Sequence, residues 1–116
     1  WARDNVAESG GSLTVSHDIA SAYAGADVVY AKSWGALPYF GNWAPEKPIR
    51  DQYQHFIVDE AKMALTNNGV FSHCLPLRRN VKATDAVMDS PNCIAIDEAE
   101  NRLHVQKAIM AALASQ

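Results

Sequence analysis

Two short apolar runs, Asp27-Val28-Val29-Tyr30-Ala31 and Val70-Phe71-Ser72-His73-Cys74, stand on either side of a helix-forming stretch, and this arrangement limits the fold more than any other feature. Each run has the length of a strand and follows a turn signal, Gly25 for the first and Asn67-Asn68-Gly69 for the second. Strands that alternate with helices in this way pair in parallel within one sheet.

The remaining elements follow the same punctuation. Ser12-Leu13-Thr14-Val15 and Cys93-Ile94-Ala95-Ile96 read as two further strands. Asp18 is placed to cap a helix that runs through Ala24 and is closed by Gly25. A helical stretch is predicted from about Asp51 to Thr66 with a break near Val58. Thr84 caps a short helix ended by Ser90-Pro91, and Asp97 to Ala114 forms a long terminal helix. The class is α/β: part of a Rossmann-like parallel-sheet domain with flanking helices and a long C-terminal helix.

With 116 residues, of which 48% are hydrophobic and 20% charged, the chain can bury one modest core. A formal net charge of −3 and the absence of a basic run argue against nucleic acid as a partner. The only cysteines, Cys74 and Cys93, form no Cys-x-x-Cys pair, which disfavours a zinc ribbon or a disulfide framework and fits a reduced, cytoplasmic setting. No apolar stretch approaches the roughly 18 residues of a membrane span. The chain opens on Trp1 rather than Met, within what reads as the tail of a helix stopped at Gly10, so it is expected to be a C-terminal piece of a longer protein.

Two regions invite a role beyond the core. The connection from Ser33 to Pro48 sets Trp34, Tyr39, Phe40 and Trp43 among Gly35, Pro38, Gly41, Pro45 and Pro48, as either a lid over a site or a self-packed surface loop would. On the terminal helix, Ala99, Leu103, Met110 and Leu113 form one stripe, with Val105, Ala108, Ile109 and Ala112 beside it. Such a helix is either buried in this domain's core or docked on another domain.

Ligands of open parallel sheets bind beyond the carboxyl ends of the strands, and three segments converge there: Lys32, His73-Cys74-Leu75-Pro76 and the first turns of the terminal helix. Taken singly, Cys74 could be a small buried hydrophobe, His73 a hydrogen-bonded strand residue and Lys32 a solvated cation. Arg102 sits near the amino end of its helix, where the macrodipole disfavours a cation. Either a pair with Glu98, four residues earlier, or a bound anion would explain it.

His73-Cys74-Leu75-Pro76 continuing into Leu77-Arg78-Arg79-Asn80, and then Glu98-Ala99-Glu100-Asn101-Arg102-Leu103-His104, resemble two signatures of the ornithine-type carbamoyltransferases, in the same order. Tyr30-Ala31-Lys32-Ser33-Trp34-Gly35 lies where ornithine enzymes carry an Asp-x-Trp-x-Ser-Met-Gly stretch, and the resemblance extends over essentially the whole chain. In detail it is closest to the branch of the family that acts on N-acetylornithine in arginine biosynthesis.

The resemblance implies transfer of the carbamoyl group of carbamoyl phosphate to the δ-amine of N-acetyl-L-ornithine, giving N-acetyl-L-citrulline and phosphate. No cofactor or metal is implied, and positioning and electrostatics carry the reaction. It gives Arg102 to carbamoyl phosphate, Cys74 and the Leu75 carbonyl to the carbamoyl group and attacking amine, and Lys32 to the N-acetylornithine end. A cis Leu75-Pro76 bond and a homotrimeric full-length protein are implied too. The acceptor could instead be N-succinylornithine or ornithine, and a non-catalytic Rossmann-like binding fragment is the reading from another class. The family's Ser-x-Arg-Thr-Arg and His-Pro-x-Gln motifs do not occur in the sequence, so the chain alone is expected to be inactive.

Three further expectations concern single residues. Val29 stands where the ornithine enzymes keep an Asp, which suits an acylated acceptor that has lost its α-ammonium charge; Val29 could equally be a core strand residue. Lys82 follows Arg78 and Arg79 closely and is either a solvated lysine or one whose amine is converted to a carbamate able to pair with Lys32. No Gly-x-Gly-x-x-Gly loop occurs to favour a nucleotide site. His73 and Cys74, neighbours on a strand, point to opposite faces, which ill suits a hydrolase pair.

Overall fold

The computed structural model describes residues 1–32 and 36–115. The two central runs form β1 (Val28–Tyr30) and β2 (Val70–Ser72), paired in parallel with Val28 opposite Val70, Val29 opposite Phe71 and Tyr30 opposite Ser72. The parallel sheet is thus as expected, although among the described residues it has only these two strands.

Before β1 come α1 (Ala2–Glu8) and α2 (Ile19–Tyr23). Asp18 caps α2, its side chain accepting from the Ala20 amide at 3.1 Å. The strand predicted at Ser12–Val15 does not form; these residues are exposed and join no ladder. The reason is the lack of a strand beside them, since an isolated extended segment has no ladder bonds to offset its ordering cost.

The crossover between the strands differs from expectation in its boundaries. A helix, α3 (Trp43–Asp51), begins inside the stretch expected to be loop, and only a 3-10 turn at Gln54–Phe56 and the short α4 (Glu60–Met63) follow it. Pro45 is tolerated because the first amides of a helix have no intrahelical acceptor, and Pro48 removes a single bond. Arg50–Glu46 and Lys47–Asp51 ion pairs, each four residues apart, support α3. The expected break near Val58 is present.

Gly69 makes the entry to β2 possible. A Cβ there would lie 2.7 Å from the Ala26 carbonyl oxygen, so the turn closes on the chain only with glycine. Val58, Phe71, Ala83 and Val87 form the buried core, with Tyr23, Val29, Ala31, Met63, Leu77, Met88 and Cys93 packed against it. Phe71 is fully buried, and burial of such a side chain contributes about 2 to 3 kcal/mol. Val58 donates to the Lys82 carbonyl and accepts from Thr84, both at 2.9 Å, which fastens the segment after β2 to the core.

Thr84 caps α5 (Asp85–Met88) as expected, accepting from the Val87 amide. The fourth predicted strand reduces to one parallel bridge between Cys93 and Phe71, and α6 (Ala95–Ala114) has already begun where Ala95 and Ile96 were expected to be extended. A run of four apolar residues suits a strand or a first helical turn equally, and here Asp97 and Glu98 favour the amino end of a helix.

Only the first turns of α6 touch the sheet. Ala95 is buried and Glu98 and Ala99 are half-buried, but residues 100–115 are exposed, including Leu103, Ile109, Met110 and Leu113. The helix is therefore not buried in a core formed by the described residues, because they supply no surface to cover it.

Candidate functional site

The strand ends set the site by simple parity. Residues two apart on a strand share a face, and Tyr30 with Lys32 on one chain segment comes beside Ser72 with Cys74 on the other. Lys32 donates through Nζ to Cys74 Sγ at 3.3 Å. From α6, Arg102 donates through Nη1 to the Cys74 carbonyl at 3.2 Å. Lys32, Cys74 and Arg102 are thus brought together from three segments, as the sequence suggested.

The thiol's surroundings favour its anionic form. The Tyr30 hydroxyl and then the Lys32 ammonium hold the Cys74 thiol below its usual range, and the thiol in turn pushes the Tyr30 phenol up to about 12. Tyr30 was missed by sequence reasoning, although its two-residue spacing from Lys32 was the available signal.

His73 faces the other way and is buried. Its Nδ1 accepts from the Leu75 amide at 2.9 Å, and its Nε2 has no hydrogen-bond partner among the described residues. Burial first, and Lys32 and Lys82 next, hold its pKa below the ordinary histidine value. The Leu75-Pro76 bond is cis, as expected, and Leu75 has a positive φ of 44°.

Glu98 does not pair with Arg102. Its carboxylate instead accepts from the Ser72 hydroxyl at the end of β2. The ion pair that offered a purely structural account of Arg102 is absent, which leaves the guanidinium on a neutral carbonyl with no carboxylate partner among the described residues.

A cavity of about 500 Å³ adjoins these residues, lined by Leu37, Phe40, Trp43, Glu46, Leu77, Arg78 and Lys82 among others. Lys32, Cys74 and Arg102 are not among its walls, but Pro76 and Leu77, the continuation of the Cys74 segment, are. The Arg78 guanidinium lies 4.1 Å from the centre of the Trp43 ring, a cation–π contact that joins α3 to this segment. Phe40 and Trp43 of the expected lid border the cavity, whereas Ser33, Trp34 and Gly35 lie outside the described residues.

Lys82 is 5% exposed in the cavity wall rather than solvated. Burial, then Arg78 and Arg50, lowers its ammonium pKa to about 8 against the opposing pull of Glu46. Val29 packs on the Phe71 cluster, as a core strand residue does. Among the described residues no cluster of three metal-ligating side chains occurs, and no helix is long and apolar enough to cross a membrane.

Comparison with known proteins bears on the same surface. The Asp/Orn binding domain of the aspartate/ornithine carbamoyltransferases matches residues 1–113. The N-acetylornithine carbamoyltransferase of Xanthomonas axonopodis pv. citri is 93% identical over all of this chain, which spans 34% of that protein. The ornithine carbamoyltransferase of Pyrococcus horikoshii is 44% identical over 97% of the chain and 35% of its own length. A crystal structure of acetylornithine transcarbamylase complexed with acetylcitrulline superposes with a TM-score of 0.85 at 94% identity, covering 97% of this chain and 34% of that one. A variant of N-acetyl-L-ornithine transcarbamylase complexed with carbamyl phosphate and N-succinyl-L-norvaline is similar to the same degree. The chain spans about a third of the length of these relatives.

Proposed function

Because the chain belongs to the aspartate/ornithine carbamoyltransferase family, we propose that it is the C-terminal part of the amino-acid-binding domain of an N-acetylornithine carbamoyltransferase. The whole enzyme moves the carbamoyl group of carbamoyl phosphate to the δ-amine of N-acetyl-L-ornithine, a step of arginine biosynthesis in the cytoplasm. The observation that carries this reading is the convergence of two cations, Lys32 at 3.3 Å and Arg102 at 3.2 Å, on the Cys74 thiol and carbonyl.

The chemistry asks for such an arrangement. The δ-nitrogen forms a bond to the carbamoyl carbon, the bond from that carbon to the phosphate oxygen breaks, phosphate departs with the electron pair, and the nitrogen loses a proton. Negative charge grows on the carbamoyl oxygen and then on phosphate, and preorganised donors stabilise it. Arg102, with no carboxylate partner among the described residues, offers its positive charge to the phosphate of carbamoyl phosphate. The Leu75 carbonyl and Cys74 receive the amine and carbamoyl group, and Lys32 takes the acceptor's carboxylate.

The rest of the site and assembly follows from the same proposal. The exposed apolar face of α6 docks on the carbamoyl phosphate domain, and the full-length protein is a homotrimer. Lys82 is held as a carbamate: its neutral amine adds to carbon dioxide, a proton is released, and the resulting anion pairs with Lys32. The lowered ammonium pKa of about 8 supports this step by raising the share of reactive amine. The cation at Lys32, on the Cys74 face of the strand end, opposes the α-ammonium of ornithine and favours an acylated acceptor, whereas Val29 lies on the core face and has no part in the choice. A comparison of ornithine, N-acetylornithine and N-succinylornithine as acceptors for the full-length enzyme tests the assignment.

A further inference from the structure

We propose that Ser72 is a positioning residue which keeps Glu98 away from Arg102, so that the guanidinium stays available to the anionic substrate. The proposal rests on the assignment of Arg102 to carbamoyl phosphate made above.

Glu98 and Arg102 stand four residues apart on α6 with the acid nearer the amino end, the spacing and order in which helical ion pairs form best. Other pairs at that spacing do close in this chain: Lys47 with Asp51, Arg50 with Glu46, and His104 with Glu100. Glu98 and Arg102 form none, and both side chains have other partners. The Ser72 hydroxyl donates to the Glu98 carboxylate, and Arg102 reaches past it to the Cys74 carbonyl.

Ser72 is well placed to hold its partner. It is 6% exposed, closes β2 opposite Tyr30, and its carbonyl accepts from the Ala31 amide at 3.0 Å. The two contacts also match in spacing, because four residues of helix advance about 6 Å and two residues of extended chain about 6.6 Å. Ser72 and Cys74 can therefore engage Glu98 and Arg102 together, one contact a helical turn beyond the other.

Removal of the hydroxyl should free the carboxylate to turn onto Arg102, where it competes with the phosphate group. In the full-length enzyme, Ser72→Ala is expected to raise KM for carbamoyl phosphate roughly threefold to tenfold, more than an exposed helical pair alone would give because Glu98 is half-buried. KM for N-acetylornithine should hold, and Ser72→Ala combined with Glu98→Gln should restore KM for carbamoyl phosphate. Equal impairment of the single and double variants, or an unchanged KM in Ser72→Ala, would overturn the proposal. Glu98→Gln alone, which keeps an acceptor for Ser72, gives a check that does not depend on the folding of Ser72→Ala. A carbamoyl phosphate KM more than about threefold lower in it would mean that Glu98 already competes in the native enzyme, contrary to the proposal. A crystal structure of Ser72→Ala separates the two layers. Glu98 left in place contradicts the proposal, whereas Glu98 turned onto Arg102 with KM unaltered contradicts the role given to Arg102.

Discussion

Arg102 donates to the main-chain carbonyl of Cys74 at 3.2 Å across 28 residues of sequence, tying the first turns of the terminal helix to the end of the second strand. The contact fixes a cation at the strand ends without neutralising it. Replacement of Arg102 by Ala in the full-length enzyme should lower kcat/KM for carbamoyl phosphate by about a hundredfold to a thousandfold, the usual cost of losing one preorganised donor to developing charge. Lys at this position should recover only part of the loss, since it lacks the planar fork. Steady-state kinetics with each substrate varied in turn would check this, and a loss confined to N-acetylornithine would contradict it.

The Cys74 thiol carries a pH signature. Its ionisation is drawn to lower pH first by the Tyr30 hydroxyl and then by Lys32. Tyr30→Phe and Lys32→Met should therefore each move the pH profile of thiol alkylation to higher pH. The profile is read directly from the rate of iodoacetamide labelling against pH. A shift to lower pH in either variant would contradict the geometry.

The approach of Lys32, Cys74 and Arg102 was legible in advance because each follows a segment read as a strand and ligands of parallel sheets gather at those ends. Tyr30 and Ser72 share the strand parity of Lys32 and Cys74 but carry no motif, and only the pairing register shows that they face the thiol and Glu98. The fold was less legible where propensity is ambiguous. Pro45 and Pro48 read as loop residues, yet the first turn of a helix does not need the Pro45 amide and Pro48 costs α3 a single bond. Cys93-Ile94-Ala95-Ile96 gave no periodicity long enough to separate strand from helix, and Ser12–Val15 had strand composition without a neighbouring strand.

Lys82 should make stability depend on pH. Its ammonium pKa falls to about 8 in the folded chain from an ordinary 10.5. Between those values the unfolded state binds more protons, so this residue's contribution to stability rises with pH through the window and its destabilising effect is greatest below it. Denaturant unfolding of the full-length enzyme with bicarbonate excluded should show this rise in the wild type relative to Lys82→Met. An identical pH dependence in the two would contradict the burial of a titrating amine. With bicarbonate present, the carbamate should appear as a labelled carbonyl signal that Lys82→Met lacks.

The chain on its own should not turn over. The sequence carries no Ser-x-Arg-Thr-Arg loop, and Arg102 alone cannot supply a preorganised phosphate site. Carbamoylated product from the purified 116-residue chain should stay at background. Turnover comparable to the full-length enzyme would show that the phosphate-binding groups lie within this segment.

The central claim, that these strand ends serve an N-acylated acceptor, is tested most directly by kcat/KM of the full-length enzyme for N-acetylornithine, N-succinylornithine and ornithine with carbamoyl phosphate saturating. Lys32 at the strand end pairs with the acceptor's carboxylate but opposes an α-ammonium, and a charged contact of this kind is worth roughly 1.5 to 3 kcal/mol, so the acylated acceptor should be favoured by about tenfold to a hundredfold. N-acetylornithine is expected to lead. A lead for N-succinylornithine would keep the acyl preference and change the acceptor, while equal or better use of free ornithine would contradict the account.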